Sequence, residues 1–259
     1  MCRLAAYLGP GIALQQFLLE PPHSLYRQAR EPRELKYAKL NADGYGFAWY
    51  GPDGRPAAYT SVLPIWSDHN LPHLARTLIS PLWLADVRSA TAGQPVHPFN
   101  TPPFHDEQYL FAHNGFIREF HLQVRPAMNE MLSPAIAAAI HGNTDSEYLF
   151  ACLRQLLEDD PDLPLSDALS ELFELLAEWV DEEQALLNII VTEGDRLYAA
   201  RHALNDECPS LYYTTDDEMF PGGQLVASEP FTADSFWLPV PDHHILILDA
   251  QNPPELLEL

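Results

Sequence analysis

Two periodicities divide the chain. Alternating apolar and polar residues, or short runs rich in β-formers, mark strands in "CRLAAYL", "GYGFAWY", "AAYTSV", "LWLADVRSA", "YLFAHNGFI", "LNIIVTEGDRLYAAR", "SLYYTT", "QLVASEP" and "HHILILD". "VTEGDRL" predicts a hairpin turning at Glu193, Gly194 and Asp195. Short connections between neighbouring strands favour antiparallel pairing over βαβ crossovers.

Helical spacing dominates the middle of the chain. Leu165, Leu169, Leu172, Leu176 and Trp179 recur at three- and four-residue steps in "LSDALSELFELLAEWV". Ahead of them, "NTDSEYLFACLRQLLEDD" opens with Thr144 and Glu147 in capping-box spacing and closes before Pro161. "NLPHLARTLIS" predicts a shorter helix. Strands, then two long helices, then strands again predict a layered α+β domain. No flexible linker, repeat or low-complexity stretch interrupts it, so one domain over residues 1–259 is expected, with about 250–259 as a loose tail.

Composition narrows the partners. Acidic residues outnumber basic ones by 37 to 14, for a formal charge of -23. That surface repels phosphate backbones, and nucleic acid is excluded as a natural partner. The opening residues lack a basic stretch, and Gly9-Pro10-Gly11 breaks their apolar run, unlike a signal peptide. No uncharged apolar run approaches the ~18 residues of a membrane span. Three cysteines without CxxC spacing suit a reducing compartment. A cytoplasmic protein with free thiols is the expectation.

Cys2 raises the first chemical question. Once Met1 is removed, one residue carries a thiol and a free α-amine. A thiol nucleophile needs a base, and an α-amine with a pKa of about 7.7–8.0 can serve. The plain alternative is a small buried side chain starting an edge strand. Three further motifs bear on the choice. In "FAHNG", Asn114 and Gly115 offer an amide and a closely approachable N–H, as an oxyanion hole requires, although Asn-Gly is also an ordinary hairpin turn. In "DVRSATAG", Arg88 ends a largely apolar strand and needs a carboxylate from substrate or protein. In "NTDSE", Asp145 lies in a first helical turn, where acids also favour the macrodipole. A cation, an anion and an oxyanion hole near a thiolate together describe a pocket for a free α-amino acid head group. Its side-chain carbonyl would be the group attacked.

"MCR", "NADGYGFAWY", "VRSATAG", "FAHNG" and "NTDSE" resemble, in order, the motifs of class II glutamine amidotransferases. Those are N-terminal-nucleophile hydrolases built as a four-layer αββα sandwich of two mainly antiparallel sheets. "MCRLAAYLG", "PPHSL", "LVASEPF" and "VPDHHIL" look closer to one branch, the ergothioneine-pathway γ-glutamyl hydrolases. The resemblance implies cleavage of a γ-glutamyl amide through a γ-glutamyl thioester, in that branch the release of glutamate from γ-glutamyl-hercynylcysteine S-oxide. By motif, it makes Cys2 the nucleophile and its α-amine the base. Arg88 binds the glutamyl α-carboxylate with help from Thr91, Asn114 and Gly115 form the oxyanion hole, and Asp145 takes the α-ammonium. His113, next to the oxyanion motif, is expected at the pocket mouth. Where many amidotransferases carry a tryptophan and a histidine, this chain has Ser89 and Ala92, and "NADGYG" replaces an Arg-Gly-x-Asp-type loop around Asn41 and Asp43.

A rival reading is a glutaminase subunit that passes ammonia to a partner synthase, and a homo-oligomer also stays open. The length leaves no room for a large acceptor domain, which favours stand-alone hydrolysis. No metal or organic cofactor is expected. His243 and His244 are adjacent on a predicted strand and point to opposite faces, and Pro72 separates His69 from His73.

Overall fold

The computed structural model describes residues 2–35, 39–91 and 94–259. Strands are β1 (Arg3–Ala13), β2 (Tyr45–Tyr50), β3 (Pro56–Ser61), β4 (Ile79–Val87), β5 (Phe104–His105), β6 (Leu110–Ile117), β7 (Ala185–Thr192), β8 (Arg196–Arg201), β9 (Ala203–Leu204), β10 (Tyr212–Thr214), β11 (Gln224–Ala227), β12 (Leu238–Pro239), β13 (His244–Asp249) and β14 (Glu255–Glu258). Helices are α1 (Leu14–Leu18), α2 (Leu25–Gln28), α3 (Leu71–Ala75), α4 (Val124–Met131), α5 (Pro134–Ala138), α6 (Asp145–Asp159) and α7 (Leu165–Val180). One sheet runs β12-β10-β11-β1-β4-β2-β3 and the other β14-β13-β8-β7-β6-β5, with β9 beside β7. The strand pairs are antiparallel, as expected from the short connections.

Alternation along each strand sorts side chains into three cores. Leu4, Ala6, Leu8, Leu82, Leu84, Leu110, Ala112, Ile190 and Leu246 fill the space between the sheets. Ala5, Tyr7, Phe47, Trp83 and Ala85 point the other way, against Leu14, Phe17, Leu25 and Leu71 of the short helices. On the far side, Phe111, Leu187, Ile189 and Val191 pack on α6 and α7 through Leu149, Leu153, Leu169, Leu172 and Leu176. The layers are therefore helix, sheet, sheet, helix. Each buried aliphatic side chain contributes about 1.5–3 kcal/mol toward holding the stack. The long α7 stripe follows the expected leucine spacing, with Trp179 partly buried at its end.

Several local outcomes differ from expectation. Strand β1 does not stop at Gly9-Pro10-Gly11. It slips register between Leu8 and Ile12 and continues to Ala13. A side chain at Gly9 would lie 2.8 Å from the Gly223 Cα, so that close crossing requires glycine. The C-terminal stretch expected as a loose tail contributes β14, which pairs Glu255–Glu258 with β13. The strand predicted in "YLFAHNGFI" forms as β6, and Asn114 and Gly115 lie within it, opposite Asn188 and Leu187, in place of the alternative turn. The β7–β8 hairpin turns as expected, with Gly194 at φ 116°. Thr144 caps α6 by accepting from the Glu147 N–H at 3.2 Å. The Glu147 carboxylate does not return to the cap residue; it accepts from the N–H groups of His141 and Gly142 at 2.7 Å each.

Candidate active site

The start of β1, the end of β4 and the middle of β6 converge at one end of the inter-sheet layer. There a narrow cavity is lined by Cys2, Arg88, Ser89, Thr91, His113, Gly115, Asp145 and Ser146, among others. Of the expected site residues, only Asn114 is absent from this lining. It sits directly behind, fully buried between the sheets. Its Nδ2 donates to Ser228 Oγ at 3.2 Å, and that hydroxyl also accepts from the Leu4 N–H at 3.0 Å. Ser228 thus ties the first sheet to the second beside Cys2. Asn114 Oδ1 has no hydrogen-bond partner among the described residues, and the amide has a second N–H to offer.

Cys2 is half-buried, and its thiol faces the Ser89 carbonyl at 3.8 Å. Burial, reinforced by the charge of Asp86, pushes this thiol up to about 12, while the Ser89 contact and Arg88 pull it down. At neutral pH the resting group is therefore a thiol, and attack requires a base. The imidazole in the cavity is already engaged. His113 Nε2 lies 2.9 Å from the Leu186 carbonyl and Nδ1 2.9 Å from Ser146 Oγ. A carbonyl only accepts, so Nε2 carries the proton and Nδ1 accepts from the serine. Burial drives His113 below the ordinary imidazole range against the pull of Asp145, which keeps the ring neutral. His113 is a wall of the site, locked by its own bonds.

Gly115 is where the chain requires the absence of a side chain. A Cβ there would sit 1.7 Å from the Leu186 carbonyl oxygen and 2.5 Å from His113 Nε2. Asp145 begins α6 and is nearly fully buried. Its Oδ2 accepts from the Ile117 N–H at 2.9 Å and Oδ1 from the Ser146 N–H at 2.8 Å, which fixes the carboxylate against β6. Arg88 is 3 % exposed. Its Nη1 reaches the Asp43 carbonyl at only 3.5 Å, and Nη2 has no partner among the described residues. Asp43 itself accepts from the Ala90 N–H at 2.9 Å, pinning the loop after β4. Thr91 is exposed at the rim, and Ala92 lies outside the described residues.

A second buried charge cluster braces the nucleophile from behind. Arg3 Nε donates to the Cys2 carbonyl at 2.8 Å, and Arg3 Nη1 pairs with Glu229 at 3.2 Å. Glu229 further accepts from His23 Nε2 at 2.7 Å and from the N–H groups of Arg33 and Glu34 at 2.9 and 3.1 Å. Burial opposes its charge, yet these bonds and Arg3 hold its carboxyl below the ordinary range. In the sequence Ser228 and Glu229 stand out only as part of "LVASEPF". Their roles depend on a crossing between β11, β1 and β6 that no local pattern reveals. Asp86 stands two residues before Arg88, at an inward position of an otherwise apolar strand. Asn100, another lining residue, bonds Asn143 and the Pro95 carbonyl. Among the described residues, no three side chains cluster so as to hold a metal ion.

This architecture can be set beside known proteins. The family model for class II glutamine amidotransferases matches residues 30–251. The chain belongs to that family. Class II glutamine amidotransferases are enzymes, and two curated relatives sharpen the comparison. The γ-glutamyl-hercynylcysteine sulfoxide hydrolase of Mycolicibacterium smegmatis is 32% identical over 246 residues, 95% of each chain. The protein of the same name from Mycobacterium tuberculosis is 33% identical over 247 residues, 95% of this chain and 92% of that one. Among solved structures, a class II domain protein from Silicibacter pomeroyi superposes with a TM-score of 0.69 at 27% identity, covering 99% of both chains. The glutamine phosphoribosylpyrophosphate amidotransferase of B. subtilis shares the fold, with a TM-score of 0.68 at 14% identity over 49% of its length. Among the described residues of this class II amidotransferase, no helix is long and apolar enough to cross a membrane.

Proposed function

We propose that this chain hydrolyses a γ-glutamyl amide with Cys2 as an N-terminal nucleophile, and that its substrate is γ-glutamyl-hercynylcysteine sulfoxide. The observation that carries the reading is the gathering of Cys2, the Arg88 guanidinium with its Nη2 unpartnered among the described residues, Gly115 and Asp145 around one cavity. The choice of substrate leans on the hercynylcysteine sulfoxide hydrolases, which match along nearly their whole length.

The steps follow from the groups present. Arg88 takes the α-carboxylate and Asp145 the α-ammonium, holding the γ-carbonyl at the thiol. Removal of Met1 frees the Cys2 α-amine, which takes the thiol proton; the thiolate then adds to the carbonyl carbon. The oxyanion is met by Asn114 Nδ2 and the Gly115 N–H. The ammonium returns its proton to the leaving nitrogen as the C–N bond breaks, and water hydrolyses the γ-glutamyl thioester. The locked His113 supports assigning the base to the α-amine, since no free imidazole faces Cys2 among the described residues.

The test uses intact mass, adduct mapping and two substrates. Active protein should begin at Cys2, and a glutamine-mimicking electrophile should label that residue. A bulky γ-glutamyl amide should turn over faster than free glutamine. Full activity with a residue retained ahead of Cys2 would end the proposal. Preference for glutamine, rising with an added synthase, would replace hydrolysis by ammonia supply.

A further inference from the structure

Five acidic side chains are buried among the described residues: Asp86, Asp145, Glu147, Asp217 and Glu229. Four accept hydrogen bonds that offset their burial. Asp145 is held by Ile117 and Ser146, Glu147 by His141 and Gly142, Asp217 by Met219 and Trp237, and Glu229 by His23, Arg33 and Glu34. Asp86 is the exception. It is 0% exposed, and neither oxygen has a hydrogen-bond partner among the described residues. A buried carboxylate in that condition is costly, and such groups cluster where function requires them.

Its position is specific. On β4, Asp86 pairs across to Leu4 of β1 and Gly46 of β2. Leu4 faces the inter-sheet layer, so Asp86 does too, and the same register carried on by one residue sets Cys2 opposite Arg88. Cys2 and Asp86 are therefore diagonal neighbours on one face, close enough for the Asp86 charge to raise the thiol. On β2 the residue opposite it is Gly46, which offers no side chain. Gly46 leaves a space that the Pro102 carbonyl and the Pro103 ring fill, at 2.3 and 2.9 Å from where a Cβ would stand. Among the described residues, Cys2 shares the face of Asp86, Arg88 follows just beyond the same strand, and Arg3, on the opposite face of β1, acts on Asp86 only through its charge. Arg3 is engaged by Glu229, and under the proposed function Arg88 is committed to the substrate carboxylate.

We infer that Asp86 is a positioning residue for the base: its carboxylate accepts from the α-amine of processed Cys2, orients the lone pair toward the thiol and stabilises the ammonium formed by proton transfer. This rests on the reading of Cys2 as an N-terminal nucleophile. It completes a nucleophile, base and orienting acid within two neighbouring strands, the arrangement that makes a weak nucleophile competent. Burial pushes the Asp86 carboxyl well above its ordinary range, against the pull of Arg88 and Arg3, and an ammonium formed beside it would favour the ionised carboxylate.

The test is Asp86→Asn in protein whose mass shows Cys2 at the terminus. We expect kcat to fall roughly 10²-fold with little change in KM. The acid limb of kcat/KM, and of Cys2 labelling by a glutamine-mimicking electrophile, should move about one to two pH units lower, because a negative charge that raised the amine pKa is gone. A measurement on the unmodified enzyme avoids any folding defect in the variant. NMR titration of a ¹⁵N-labelled Cys2 α-amine should place its pKa above the ordinary range of about 7.7–8.0. An amine titrating within or below that range, or an Asp86→Asn profile identical to the parent, overturns the assignment while leaving Cys2 as nucleophile. Failure of Cys2 to react at all would instead remove the proposed function itself.

Discussion

The two ends of the inter-sheet layer obey the same alternation and do opposite things. Successive inward positions read Leu8, Ala6, Leu4, Cys2 on β1, and Leu82, Leu84, Asp86, Arg88 on β4 and just beyond it. On β6 they read Leu110, Ala112, Asn114. One end is an apolar seam whose burial favours folding. The other end, on the same strands, buries a carboxylate, a guanidinium and an amide with polar atoms left without partners among the described residues. Apolar packing at one end holds the strands together tightly enough for polar groups at the other to stay in place despite their desolvation. A buried, unsatisfied cluster of this kind is what a pocket for a doubly charged ligand requires before the ligand arrives.

The sharpest way to break this contrast is at the polar end. Cys2→Ala should abolish γ-glutamyl amide hydrolysis, a loss on the order of 10⁴-fold or more, while the melting temperature stays near that of the parent. A comparable drop in stability would mean that Cys2 belongs to the seam and not to the site. Asn114→Ala should lower kcat by roughly 10²–10³-fold, read in steady-state kinetics. A change confined to KM would remove it from the oxyanion hole.

Stability experiments separate the two buried acids next to the nucleophile. Glu229→Gln should destabilise the fold by about 3 kcal/mol in urea titration, because Arg3 is left without its counter-charge. Its carboxyl is held below the ordinary range, so the native interaction is present above the unfolded-state pKa and fades as pH falls through the folded value. The cost of Glu229→Gln should therefore shrink in acid. Asp86→Asn should do the reverse in protein that still carries a residue ahead of Cys2, raising stability by about 1–2 kcal/mol. The Asp86 carboxyl is raised, so its penalty is absent below the unfolded-state pKa and grows as pH rises through the folded value. The stabilisation should vanish in acid, and it should be smaller once the Cys2 amine is free. Equal shifts in both forms would argue that the amine and Asp86 do not meet.

Much of this molecule was readable along the chain. The α7 leucine stripe, the β7–β8 hairpin, antiparallel pairing and the Thr144 cap are local in origin, set by side-chain period and by hydrogen bonds spanning a few residues. Strand β1 runs on past Gly9-Pro10-Gly11, where the local pattern ends it, and Gly9 faces Gly223 there, a contact that only the folded chain creates. The Asn114-Gly115 pair illustrates the same limit. A turn and a strand interior were both open from its two residues, and pairing with Asn188 and Leu187 selected the strand.

The sequence by itself determined the layered α+β order, the motifs carrying Cys2, Arg88, Asn114, Gly115 and Asp145, and the acidic character of the surface. Those are matters of period, spacing and composition, which need no partner from afar. Only the tertiary structure decided that His113 is locked, that Ser228 bridges the sheets, that Glu229 is satisfied and that Asp86 is not. Each of those depends on which strands lie side by side and on how much water is expelled between them. Desolvation and long-range hydrogen bonding are properties of the packed sheets, and no window of the chain contains them.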